Sequence, residues 1–193
     1  AYIWTKGIAA GTYVVAALAM LSGFAEMSDG LWSMTLGVSI VFLAITGLLL
    51  VMDLDRPERF LYVMLRPNWD SWLVKGAYIL SGFGGILALS AGVIILDLDR
   101  SLLTYLAIAG VPLALLTGVY TAWLLMQAKG RSWSEDSLLP AKFLIETVAI
   151  GAAVFFPIFL MDPLSLAVGV AVLLGILSHD KKLVMEPQME PLL

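Results

Sequence analysis

Of the 193 residues, 61% are hydrophobic and only 13% carry charge, so ionisable groups inside or beside the apolar runs are the ones able to do chemistry. Lys6 interrupts the first run near its start. Glu146 lies deeper in a later run, one turn after Lys142. Between Asp53 and Ala77 fall eight acidic and basic residues: Asp53, Asp55, Arg56, Glu58, Arg59, Arg66, Asp70 and Lys75. Thr117, Tyr120 and Thr121 share one helix face through their i, i+3, i+4 spacing. Such a set supplies hydrogen-bond donors from a phenol and an amine, and carboxylates able to take a proton.

Each of these residues also has a purely structural reading. Charges within a membrane span are costly unless they pair or line a cavity. Glu146 either pairs with Lys142 or Lys6, or forms part of a proton relay; Lys142 is close enough to its helix end to snorkel. Asp53 and Asp55 end an apolar helix, where the macrodipole disfavours negative charge. Arg56 and Arg59 can offset them in an ion-pair cluster that shapes the loop, or one carboxylate accepts a proton with its pKa raised. Tyr120 taken alone is a packing or interface tyrosine. His179, the single histidine, reads as part of the tail.

Composition removes whole classes of redox centre. With no cysteine there is no disulfide, no thiolate ligand, no iron–sulfur cluster and no cysteine zinc site on this chain. With one histidine it cannot hold a haem between paired histidines. Neither haem, cluster nor metal is expected here, and no nucleic-acid partner. Electron chemistry would need a mobile organic carrier or cofactors on another chain.

The elements that position these groups are apolar runs long enough to cross a bilayer as helices, which takes roughly 20 residues. They cover about residues 1–24, 31–52, 72–96, 102–127 and 140–161. A sixth run from Pro163 to about Leu177 falls short of a full span. The expected fold is therefore an all-α integral membrane protein, a bundle of about five or six transmembrane helices. A short interfacial helix, Pro57 to Leu65, follows the second span, with Trp69 and Trp72 in the aromatic belt. Small residues from Gly7 to Ala19 suit close helix packing, and Gly82, Gly84 and Gly85 predict a close approach on the third span. Residues 1–178 form the bundle, which looks incomplete at both ends, and 179–193 a flexible polar tail. Lysine and arginine favour one side, which places the loop 54–71 and the tail in the cytoplasm.

Three segments together resemble the NrfD/PsrC family of membrane subunits, which serve polysulfide reductase, related complexes and alternative complex III. They are YIWTKGIAAG (Tyr2 to Gly11), MDLDRPERFLYVMLRPNWDSWLVKGAYIL (Met52 to Leu80) and GVYTAWLLMQAKGRSW (Gly118 to Trp133). The resemblance implies a subunit in a prokaryotic cytoplasmic membrane, surrounded by lipid, that binds a quinone between its helices and has no redox centre of its own. It implies an iron–sulfur subunit and a catalytic subunit as partners in a respiratory-type oxidoreductase, so that this chain is not an autonomous enzyme. The family's quinone-site tyrosine corresponds to Tyr120, flanked by Thr117 and Thr121. Its polar residues at the start of the first helix correspond to Lys6, and its acidic and arginine cluster to Asp53, Asp55, Arg56 and Arg59. Such families have about eight or more helices, so the C-terminal part here is short or missing. Two other readings stay open: an ion- or proton-translocating transport module, suggested by Lys6 and Glu146, and a membrane anchor with a degenerate quinone site.

Overall fold

The computed structural model describes residues 2–24, 28–52, 65–127 and 136–189. Asp53, Asp55, Arg56 and Arg59 lie outside the described residues, as does nearly all of the expected interfacial helix Pro57 to Leu65.

Among the described residues six helices follow in order: α1 (Tyr2–Leu21), α2 (Asp29–Met52), α3 (Trp72–Ile95), α4 (Ser101–Met126), α5 (Leu139–Leu160) and α6 (Pro163–Met189). All six are long and apolar enough to cross a membrane. The chain is an all-α, multi-pass membrane protein. The sixth element differs most from expectation. Its apolar run ends near Leu177, but the helix continues through His179 to Met189. Hydropathy measures only the part of a helix that meets lipid; Asp180, Lys181 and Lys182 extend it past that limit without breaking backbone bonding. Asp162 starts this helix. Its carboxylate accepts the backbone N–H groups of Leu164 and Ser165, both at 2.9 Å, and Pro163 takes the first helical position. The Ser165 amide holds the Asp162 carboxyl below the usual carboxylate range.

α1 is the centre of the bundle. It packs against α2, α4 and α5, and 78% of its apolar window is buried, against 11% for α6. Its small residues explain this position, since without side-chain bulk the backbones approach closely. At the α1–α5 crossing, a Cβ added to Gly11 would overlap the Thr147 carbonyl oxygen, and one added to Gly151 would overlap the Gly11 backbone. Around Tyr13 a core forms from Trp32, Phe83 and Leu87, with the Tyr13 hydroxyl donating to the Leu106 carbonyl at 3.1 Å.

On α3, Gly82 and Gly84 have only ordinary contacts and Gly85 faces open space. The close approach on that helix is instead at Gly76, whose missing side chain makes room for the Tyr120 ring. The two ends of the bundle differ. At one, Arg100 bonds Asp29 at 2.8 Å and Asp97 at 3.0 Å, tying the start of α2 to the α3–α4 turn. At the other, Trp72 stacks on Trp123 at 4.7 Å, and the Gln127 side chain bridges the Asp70 carbonyl and the Trp72 amide.

Candidate functional site

Lys6 leaves α1 one turn from its start and is 1% exposed. Its amino group donates to the Gly118 carbonyl at 2.8 Å and to the Thr121 hydroxyl. The same nitrogen stands 4.7 Å from the centroid of the Tyr120 ring and 5.3 Å from that of Phe143. Four helices therefore converge on one point: α1 through Lys6, α3 through Gly76, α4 through Gly118, Tyr120 and Thr121, and α5 through Phe143. Thr147 packs its side chain against Gly118 and returns its hydroxyl to the Phe143 carbonyl at 2.7 Å. On the α2 side, the Thr46 hydroxyl lies 2.9 Å from that of Thr5.

On α4, Thr117, Tyr120 and Thr121 are all fully buried. Of the three, only Thr121 hydrogen-bonds Lys6, while Tyr120 meets it with the face of its ring. The Tyr120 phenol and the Thr117 hydroxyl make no well-formed hydrogen bond among the described residues, although the Thr121 hydroxyl lies near enough to the phenol to act on it. A ligand or water can complete such hydroxyls; Thr12, Thr35, Ser39 and Ser90 share the condition elsewhere, and what sets this pair apart is its place on the helix that holds Lys6. On the outer side of α4 and α5, an apolar groove of about 370 Å³ is lined by Pro112, Leu116, Val119, Trp123, Pro140 and Leu144, among others, and shares no lining residue with the Lys6 point.

Glu146 is not paired as expected. Its partner is His179, with Nδ1 2.8 Å from Oε1, while Lys142 bonds Asp136 at 2.5 Å. That bond holds the Asp136 carboxyl below the usual range. Lys6 acts on Glu146 only at longer range. Asp180, beside His179 on α6, is buried; it did not stand out in the sequence, where His179 reads as part of the tail. The clue is periodicity: Leu183 and Val184, three and four residues after Asp180, pack against the Ile3–Phe143 cluster.

The family model described as "Polysulphide reductase, NrfD" matches residues 1–164. The chain belongs to the NrfD family. Members of this family are membrane subunits of quinone-linked oxidoreductase complexes and associate there with catalytic and iron–sulfur subunits. A search of curated proteins gives no match. The three segments that carry the NrfD resemblance come together in space. Lys6 from the first bonds Gly118 and Thr121 from the third, and Gly76 from the second receives Tyr120. α6 lies almost wholly beyond the NrfD match.

Proposed function

We propose that this chain binds a quinone or quinol at the Lys6–Tyr120 site and exchanges its electrons with an iron–sulfur partner subunit. The observation that carries this reading is the pair of buried hydroxyls without well-formed hydrogen bonds, Tyr120 Oη and Thr117 Oγ1, on the helix face where Lys6 is held. A quinone supplies two carbonyl oxygens and takes up two electrons with two protons. The chain's residues supply what it lacks: Tyr120 and Thr117 donate hydrogen bonds, and Lys6 adds a donor held in place by Gly118 and Thr121. The rings of Tyr120 and Phe143 exclude water from that donor. The apolar groove beside Val119 and Trp123 suits an isoprenoid tail. Asp53, Asp55, Arg56 and Arg59 follow the end of α2 in the sequence, on the same side of the membrane as the start of α1 and the end of α4 by alternation of the spans, and on this reading serve proton exchange and ion pairing on that side. The excess of lysine and arginine on that side supports a cytoplasmic orientation for it.

The test is Tyr120→Phe, measured as quinol turnover in the purified complex together with thermal stability. Removing a hydroxyl that makes no well-formed hydrogen bond leaves the melting temperature unchanged or slightly raised, while turnover falls at least tenfold. Unchanged turnover removes Tyr120 from the site. A membrane anchor without a working site would show no binding of a quinol-site inhibitor to the wild type.

A further inference from the structure

A second polar cluster stands apart from the hydroxyls of the Tyr120 site, and two of its three members lie beyond residue 164, where the NrfD match ends. We propose that Glu146, His179 and Asp180 form a binding site for a divalent first-row transition ion, of which Zn²⁺ is the type. One ligand atom from each residue lies within 4.8 Å of the other two. Tetrahedral zinc with bonds of about 2.0–2.1 Å keeps its ligand atoms about 3.3 Å apart. His179 Nδ1 and Glu146 Oε1 are already 2.8 Å apart, so small side-chain rotations bring the set to that spacing.

The independent observation is Asp180. It is 7% exposed, and both carboxylate oxygens lack a hydrogen-bond partner among the described residues. A buried carboxylate left without partners is costly, and a bound cation relieves that cost. Lys6 does not relieve it directly: its amino group is committed to Gly118 and Thr121, and it makes no ion pair among the described residues. The carboxylate is also held in position, because Leu183 and Val184 on the same face of α6 pack against α1 and α5, and Trp4 donates to the Leu173 carbonyl at 3.1 Å.

Ligand type decides the class of ion. One imidazole nitrogen with two carboxylate oxygens suits zinc and its first-row neighbours, whereas magnesium and calcium favour all-oxygen sets. His179 has 58% of its side chain exposed, which gives an ion an entry path and leaves a coordination position for water. The expectation of a metal-free chain rested on the absence of cysteine and of paired histidines, neither of which this set requires. Lys6 acts on both carboxylates from a distance and competes with a dication for their charge, so binding is weaker than at a closed structural zinc site.

The experiment uses the untagged full chain in detergent, stripped with chelator, titrated with ZnCl₂ by calorimetry and analysed for metal after gel filtration. The wild type is expected to retain one Zn²⁺ per chain. Affinity falls at least tenfold in His179→Ala and in Asp180→Asn, and is unchanged in Asp136→Asn, which removes a carboxylate outside the set. Co²⁺ bound to the wild type is expected to give the intense visible absorption of a four- or five-coordinate ion, bleached by added Zn²⁺. No retained zinc in the wild type overturns the proposal. So does wild-type affinity in both ligand variants, or a weak six-coordinate Co²⁺ spectrum. Because the Co²⁺ spectrum needs only the wild type, it decides the matter even where a variant fails to fold. None of these readouts depends on quinol turnover.

Discussion

Gly76→Ala tests whether the Tyr120 ring is held where the site needs it. The methyl group would stand 3.0 Å from Cζ of Tyr120 and closer still to Cδ2 and Cε2. Carbon atoms prefer about 3.5–4.0 Å, so the buried ring or α3 itself must move by about 1 Å. Gly85→Ala, on the same helix, meets nothing within 4 Å and serves as the control. Both changes gain the same helix propensity, up to about 1 kcal/mol, so that contribution cancels in the comparison. What remains is overpacking, about 1–3 kcal/mol. At about 2–4 °C per kcal/mol for a chain of this size, Gly76→Ala should melt about 2–12 °C below Gly85→Ala. A displacement of 1 Å at a reacting group costs on the order of 10²-fold in rate, so quinol turnover should fall about 10–100-fold in Gly76→Ala and remain normal in Gly85→Ala. The assays are tryptophan-fluorescence melting in detergent and turnover in the intact complex. Equal melting temperatures would refute the steric argument. A destabilised Gly76→Ala with normal turnover would refute the role of the ring position.

Lys6→Met keeps the apolar stem and removes the amino donor that Gly118 and Thr121 hold in place; with one hydrogen bond to the ligand lost, worth about 0.5–1.5 kcal/mol, quinol-site inhibitor affinity should fall about 2–10-fold, and unchanged binding would place the ligand elsewhere. Gly151→Ala forces a methyl into the Gly11 backbone at the α1–α5 crossing, which should cost about 1–3 kcal/mol and lower the melting temperature, whereas an unchanged melt would mean that the helices separate freely. Asp162 has its carboxyl held low by the Ser165 amide. Its contribution to stability is present above the ordinary carboxylate range and lost as pH falls through the lowered folded value. Melting temperature should therefore drop on acidification more in the wild type than in Asp162→Asn, which keeps an uncharged acceptor; equal drops would show that the cap charge contributes nothing.

Most of the bundle was legible because membrane spans are written in apolar length, and five of the six helices announce themselves in that way. α6 did not, because the run that meets lipid ends before the helix does, and Asp180 is polar where a hydropathy reading expects an ending. The Lys6–Tyr120 site was legible in its parts: Lys6 as a misplaced charge, and Thr117, Tyr120 and Thr121 as one face of α4. Their meeting was not, since which span abuts which is a tertiary matter. Glycine misled in one place and informed in another. The cluster at Gly82, Gly84 and Gly85 looks like a packing face but meets little, while isolated Gly76 accommodates an aromatic ring. Glu146 was noticed for its depth, yet its partner lies on the one helix the sequence left short.

The central position of α1 links stability to the site. Lys6 is presented by the same helix whose small residues let α5 approach at Gly11, and the crossing that buries Gly151 also sets Thr147 against Gly118. The Gly118 carbonyl is in turn an acceptor for Lys6. A change at the crossing therefore reaches the site through two steps of direct contact, without altering any group that touches a ligand. Loss of turnover in a crossing variant such as Gly151→Ala consequently says little about chemistry. The informative variants separate the two effects, and Tyr120→Phe is the cleanest of them: its hydroxyl makes no well-formed hydrogen bond among the described residues, so its removal spares the packing that holds Lys6.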